Sequence, residues 1–281
     1  MKNLILVILS TIFCNLFISA QNFEHEFSVY GSTGLSTINY KLSSSDKRGG
    51  FGGDFGLGYT FLIENEYQWG FHTGMGVGFY NATTNVDGKT FVTPGLIDND
   101  THLDMKYRIF DLHTTLSDYK EKHTIISLNI PIMAKFSVDR YYAFGGFKFG
   151  FPLGGKFQTK GTTLTNAAHY TEIDNWARVQ TLSGYGTYKD RNSNGKMKFD
   201  ASTLLSLEGG VKFRLSKVLL LYTGVYFDYG LNNILPSENY FINYYTEAPA
   251  DFSTNSVISV DAKNVKPMAI GVKVRLAHRM R

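Results

Sequence analysis

The sequence predicts an all-β fold, an eight-stranded antiparallel transmembrane β-barrel with long extracellular loops. Three observations point there. Eight stretches alternate bulky apolar residues with glycine, polar or charged ones. The connections between them are alternately long and short. The summed apolar face is larger than an eight-stranded barrel can hold inside.

The first stretch, Glu24–Leu42, opens EHEFSVYG, polar and apolar in turn. Phe51–Ile63 is plainer: Phe51, Phe55, Leu57, Tyr59, Phe61 and Ile63 share one face, and Gly52, Asp54, Gly56, Gly58 and Thr60 the other. Trp69–Asn81 repeats the pattern, with Phe71, Met75, Val77 and Phe79 against Gly70, His72, Gly74, Gly76 and Gly78. In His123–Val138, Ile126, Leu128, Ile130 and Ile132 oppose Ser127, Asn129, Met133 and Lys135. In Tyr141–Phe157, Phe147, Phe149, Phe151 and Leu153 oppose Lys148, Gly150 and Gly154. Thr203–Leu215 and Val218–Gly230 make a hairpin, with Leu207, Phe213, Leu221 and Val225 on one side and Glu208, Lys212, Arg214, Tyr222 and Asp228 on the other. Val265–Leu276 ends the series, Ile270, Val272, Val274 and Leu276 against Gly271, Lys273 and Arg275. A period of two is the strand signature, and helical spacing does not fit.

Three connections are short, Glu64–Gln68, Asp139-Arg140 and Ser216-Lys217. Four are long: Ser43–Gly50, Ala82–Lys122, Gln158–Ser202 and Leu231–Asn264. An even strand number with both ends of the chain on the short-turn side is the plan of a bacterial outer membrane barrel, with short periplasmic turns and long external loops. Volume decides which face points where. Roughly five bulky residues per strand make about 40 apolar side chains, whereas the interior layers of an eight-stranded barrel hold about a dozen. The apolar face must point outward, and lipid is what tolerates so large an apolar band. Aromatics at both strand ends agree: Phe61, Trp69, Phe136 and Tyr141 by the short turns, Phe51, Phe79, Phe151 and Tyr229 toward the long loops, as two interfacial girdles require. A soluble sandwich explains neither the girdles nor the loop asymmetry.

The opposite face then lines a lumen containing Asp54, Lys135, Lys148, Glu208, Lys212, Arg214, Asp228, Lys273 and Arg275. Charges of both signs in so narrow a space are expected to pair, because an isolated buried ion is costly. The lumen is read as a plug rather than an ion path, with Glu208 and Asp228 near each other through hairpin pairing. Function is expected in the long loops. Their aromatics, Tyr107, Tyr119, Tyr170, Trp176, Tyr185 and Tyr188, are residue types that anchor interfaces, so loops 82–122 and 158–202 are the expected contact for a protein partner. The same aromatics would serve equally to pack the loops onto themselves.

Candidate chemistry is thin. Asp190, Asn192 and Asn194, followed by Gly195, match the opening of a calcium loop, but Ala201 stands where the closing carboxylate belongs, so an Asn-Gly turn is the simpler reading and no metal is expected. The run Asp98–Asp104 (DNDTHLD), with Asp111 and His113 nearby, holds groups that activate water in barrel proteases, yet loops are commonly rich in them. No strand places a histidine two residues before a serine, and His72 reads as a packed interior group. The chain is therefore expected not to be an enzyme and to need no cofactor.

The first 20 residues, MKNLILVILSTIFCNLFISA, show Lys2, an apolar run from Leu4 to Ile18, and the small Ser19-Ala20. That is a secretory signal, with cleavage expected after Ala20 and a mature barrel domain spanning 21–281. The run is short for a membrane helix of about 20 residues, and Phe13 is bulky for the position before a lipidated Cys14. Cys14 is the single cysteine, so the mature chain has no disulfide and no thiolate chemistry. The net charge of +4 is scattered, which leaves no stripe for nucleic acid; the expected surroundings are outer membrane lipids.

LNIPIMAKF (Leu128–Phe136), YYAFGGFKFGFPLGG (Tyr141–Gly155), LEGGVKFRL (Leu207–Leu215) and FDYGLNNI (Phe227–Ile234) resemble the outer membrane β-barrel family of Bacteroidota labelled PorT-like. The resemblance implies an eight-stranded, OmpA-like barrel at the cell outer membrane. It implies a structural, binding or docking role in the cell envelope, or alternatively an accessory subunit of a secretion or assembly complex. One departure is the end of the chain, which passes Leu276 into AHRMR instead of finishing on an aromatic residue. A short basic tail after the last strand is the expectation.

Overall fold

The computed structural model describes residues 23–41, 45–63, 68–98, 108–178, 184–238, 240–245 and 251–280. The expected signal segment, the expected short connection at 64–67 and residues 99–104 of the Asp98–Asp104 run lie outside them. Three long strands come first, β1 (Phe23–Lys41), β2 (Ser45–Ile63) and β3 (Gln68–Val86). A hairpin of β4 (Lys89–Asp98) and β5 (Arg108–Ser117) follows, then β6 (Tyr119–Val138) and the 30-residue β7 (Tyr141–Tyr170). Short β8 (Asn175–Ala177) and β9 (Gly186–Lys196) precede β10 (Ser202–Arg214) and β11 (Leu219–Gly230). The chain ends with β12 (Ile242–Asn243), β13 (Ser253–Thr254), the one-turn α1 (Val257–Asp261) and β14 (Lys263–Met280).

Neighbours run β1-β2-β3-β6-β7-β10-β11-β14, and β14 pairs back with β1. Those eight antiparallel strands close a ring, as the alternation predicts. The outward face is the apolar one: Phe51, Phe55, Leu57, Phe71, Met75, Val225 and Val272 are each more than half exposed. Trp69 lies 4.6 Å from Phe136 in the girdle at the short turns.

Inward glycines make room for large inward neighbours. A Cβ at Gly76 would meet the Tyr30 hydroxyl at 2.4 Å, and one at Gly58 would meet the His72 ring at 2.5 Å. Glycine frequency in these strands is therefore a packing device that lets one strand fill the lumen across its neighbours.

Two expectations are corrected. The long connections Ala82–Lys122 and Gln158–Ser202 are largely strand. β3 and β6 stay paired up to Val86 opposite Tyr119, and the β4–β5 hairpin joins β7 through Asp111–Ser117. On its other edge the upper part of β7 pairs with β9 and then β8. At about 3.3 Å per residue β7 is far longer than an apolar band of about 25 Å, so it carries this sheet as a deck above the barrel. The physical reason the deck resembles loop in sequence is ordinary soluble patterning: Phe110, Leu112 and Leu116 are buried while Asp111, His113 and Thr115 alternate with them. The second correction is the end of the chain. β14 continues to Met280, pairing with β1 at His25, so Arg279 belongs to the barrel and not to a tail.

β7 changes face twice on the way up. An extra residue opposite Ile126 and Ser127 flips its parity, so Phe147 and Phe151 are exposed below the bulge and Phe157 is buried above it. At Gly161, where φ is +62°, the register shifts again and Leu164 and Ala168 face the deck core.

Candidate functional site

The lumen is filled in layers. Nearest the short turns, Lys135 donates to Glu26 at 2.7 Å and to the Tyr222 hydroxyl at 2.7 Å. Arg279 reaches Glu26 at 2.8 Å and Glu24 at 3.1 Å. One layer up, Arg275 donates to Glu208 at 2.9 Å and to Nε2 of His72 at 2.9 Å, with its guanidinium 4.4 Å from the Phe144 ring. Lys273 lies 3.3 Å from Glu208 and 4.2 Å above the Tyr30 ring. Higher still, Lys148 bridges Asp228 at 2.6 Å and Asp54 at 3.2 Å. Ser32 donates to Asp54 at 2.5 Å and Ser206 to Asp228 at 2.6 Å.

Among the described residues these ion pairs join five cations, Lys135, Lys148, Lys273, Arg275 and Arg279, to five acids, Glu24, Glu26, Asp54, Glu208 and Asp228. The set is electrically balanced, so it offers a passing ion no unpaired charge. Glu208 and Asp228 are diagonal rather than directly opposed across the hairpin: Glu208 pairs with Tyr226 and Asp228 with Ser206, and different cations hold them. Lys212 is half-buried and donates to Gln68 at 3.3 Å, and Arg214 is exposed at the short-turn end. Glu24, Glu26 and Arg279 escaped the sequence reading. The first two share parity with Ser28 and Tyr30, which was the available signal; Arg279 was hidden by ending the strand early.

Above the charges the mouth is sealed by apolar packing. Wall residues Ile38, Tyr80, Ile125, Phe157 and Tyr226 meet Met197, Phe199, Ile234, Leu235 and Ile258 from the connections. From the described parts of the connection after β11, Phe241, Phe252 and Val257 complete the deck core with Phe91, Phe110, Leu112 and Leu164. A polar pin holds this segment. Glu121, fully buried, accepts from the Val257 N–H at 3.1 Å and the Tyr119 hydroxyl at 2.5 Å, and it contacts the Ser256 hydroxyl. His123 lies 3.3 Å from Glu121 and 3.1 Å from Thr84. Burial holds the His123 imidazole below its ordinary value, and burial with the Glu121 carboxylate pushes the Tyr119 phenol well up.

Of the loop aromatics expected to anchor a partner, Tyr107 lies outside the described residues and most of the others are inside the deck. Tyr119 and Tyr185 are buried, and the Tyr170 hydroxyl bonds that of Tyr185 at 2.8 Å. Trp176 is outside, 42% exposed, stacked on His169 at 4.5 Å and 4.8 Å from His113. His169 bonds Asp174 at 2.9 Å. Asp190, Asn192 and Asn194 lie along β9, where Asn192 accepts from the Gly161 N–H at 3.1 Å. An extended strand spreads alternate side chains instead of wrapping them around an ion, and the expected Asn-Gly turn is likewise strand. Among the described residues no group of three or more His, Cys, Asp or Glu is placed to hold a metal.

Comparison with curated protein sequences finds no match. Among solved structures the chain is similar to the attachment invasion locus protein Ail of Yersinia pestis, at 11% identity and TM-score 0.28, covering 92% of this chain and 100% of that one. It is similar to Neisserial surface protein A at 10% identity and TM-score 0.31, covering 89% and 95%. It is also similar to the outer membrane protease OmpT of Escherichia coli at 10% identity and TM-score 0.32, covering 92% and 97%. The expectation that the chain is not an enzyme is corrected here, since a protease stands among the barrels it is similar to. Residues 19–235 match the family model described as outer membrane protein beta-barrel domain. With the closed ring and the apolar outer wall, this establishes that the chain belongs to that family and resides in the cell outer membrane.

Proposed function

We propose that the protein works through its outward deck, as a structural, binding or docking protein of the cell envelope, and does not serve as a pore. The observation that supports this most is the lumen: five acids matched by five cations, then an apolar seal above them. A large investment of chain in a hydrogen-bonded sheet above the lipid band points the same way, since a hairpin needs only a few residues to connect its strands. The contact on this reading is the face around Trp176, His113 and His169.

Two measurements test it. The folded barrel in a planar bilayer should pass no steady single-channel current; steady conductance overturns the plug. Replacing both Trp176 and His113 with Ala should leave a heat-modifiable barrel that no longer retains its partner from native membranes. Recovery of the same partner by this variant overturns the assigned face. The likeness of Leu128–Phe136 and Tyr141–Gly155 to PorT-like barrels favours a second reading, an accessory subunit of a secretion or assembly complex. Mild-detergent purification separates the two, since a subunit leaves the membrane with stoichiometric companions.

A further inference from the structure

The outward wall changes character abruptly above the lipid band. On β6 the last outward apolar residue is Ile126, and the next outward positions are Thr124, Lys122 and Lys120. On β7, above the exposed Leu153, they are Lys156, Gln158 and Lys160. Lys122 stands four residues above Ile126, about 13 Å along the strand at 3.3 Å per residue, and less along the membrane normal because barrel strands tilt. That is headgroup depth, and a lysine stem reaches further by lying along the wall.

These lysines are crowded together. Lys156 sits directly opposite Lys196 of β9, and both are exposed. Lys122 is opposite Gln158, whose other neighbour is Asn194. One residue beyond the Glu121–Thr159 pair, each strand again carries lysine, Lys120 and Lys160. Like charges directly opposite one another destabilise a sheet. The residues paired directly with Lys122, Lys156 and Lys196, or one step along from them, are Thr83, Thr124, Gln158 and Asn194, and none is acidic. The nearest exposed acids beside β3 and β6, Asp87 and Asp118, stand beyond Lys120 and bond each other. Lys41 and Lys263 are directly opposed in the same way between β1 and β14. The buried ion pairs of the lumen, by contrast, join five cations to five acids. A wall that gathers Lys122, Lys156 and Lys196 above a lipid band, with no acid paired to them, calls for anions supplied from outside the chain.

We propose that the Lys122–Lys156–Lys196 wall binds phosphate groups on glycolipid headgroups of the outer leaflet. The depth selects a lipid over a soluble partner: apolar wall for acyl chains lies directly below, and amide and hydroxyl side chains between the lysines suit sugar hydroxyls. Each lysine neutralises part of a phosphate's charge, and the ligand relieves the repulsion between opposed ammonium groups. The site is separate from the deck face around Trp176 and does not depend on a protein partner.

The test uses the full mature chain refolded into phosphatidylcholine nanodiscs, to which phosphorylated or dephosphorylated lipid A is added. The expected result is retention of the phosphorylated form at least about tenfold better, weakening as salt rises. Lys122→Ala with Lys156→Ala and Lys196→Ala should reduce that retention by about a hundredfold, at roughly a few-fold to tenfold per lysine near a charged surface. A second readout guards against a folding artefact. In phosphatidylcholine alone, Lys156→Ala should leave the unfolding midpoint unchanged or raise it, because a like-charge contact is removed; with phosphorylated lipid A present it should lower it. Equal retention of the two lipids, full retention by the triple variant, or the same shift of midpoint in both lipids overturns the proposal. Displacement of the lipid by millimolar inorganic phosphate overturns its lipid source and assigns the wall to free phosphate.

Discussion

Lys148→Met probes the balance of the lumen most directly. Lys148 is 2% exposed, and its ammonium is 2.6 Å from Asp228 and 3.2 Å from Asp54. Methionine keeps most of the volume and removes the charge, leaving two buried carboxylates without their shared cation. Breaking a buried pair by removing one partner costs about 3–5 kcal/mol. The hydroxyls of Ser32 and Ser206, at 2.5 and 2.6 Å, still donate to the two acids, which places the expected loss near the lower end, about 3 kcal/mol. That is roughly a hundredfold in the unfolding equilibrium. Urea unfolding in detergent micelles, followed by tryptophan fluorescence and by the heat-modifiable gel band, reads it. Adding Asp54→Asn and Asp228→Asn should recover most of the loss, since no uncompensated charge then remains. A loss below about 1 kcal/mol, the scale of a solvated pair, refutes the reasoning by showing that water carries these charges. A triple variant as unstable as the single one shows that packing, and not charge, was lost.

Two further outcomes are expected. Val272→Arg, on a lipid-facing position 54% exposed between Thr33 and Val225, should cost about 2–4 kcal/mol, whereas Thr187→Arg on the deck should stay within about 0.5 kcal/mol; equal costs would mean that no lipid band exists. Because burial depresses the His123 pKa from its ordinary 6.5, the unfolded chain binds the proton first, so His123 contributes stability above about pH 6.5 that is lost as pH falls through its lower folded value. The protection factors for hydrogen exchange at residues 251–261, corrected for the intrinsic pH dependence of exchange, should therefore fall between pH 7.5 and 5.5 in the wild type and much less in His123→Gln; an identical pH response in both breaks the link to His123.

The barrel was legible because lipid imposes a simple code. Along Phe51–Ile63 nearly every other side chain is apolar and the remainder are small or polar enough for a narrow lumen, so period two shows through despite Gly53 on the outward face and the inward Leu62. The deck lacks that constraint. Its strands bury one face against protein and show the other to water, so RIFDLHTTLS carries hydroxyls and a histidine on its half-exposed face and reads as loop, although Leu116 and Phe110 are fully buried. The inward lysines and arginines were visible as residues of one parity, but their partners were not. Lys135 and Glu26 are 109 positions apart in sequence, and Arg279 and Glu26 are 253 apart.

What the sequence by itself determined was the side of most residues in the lower, lipid-facing strands, the number of ring strands and the place of the short turns. Those are local properties, set by alternation and by turn length. Only the tertiary structure decided which charges meet, because register and ring closure bring β1 beside β14 and turn Glu26 toward Lys135 and Arg279. It also decided that the described parts of the connection between β11 and β14 pack as a seal, with Phe241 and Phe252 each no more than 2% exposed. Burying them required the deck sheet already in place above the barrel, and no window of sequence contains both.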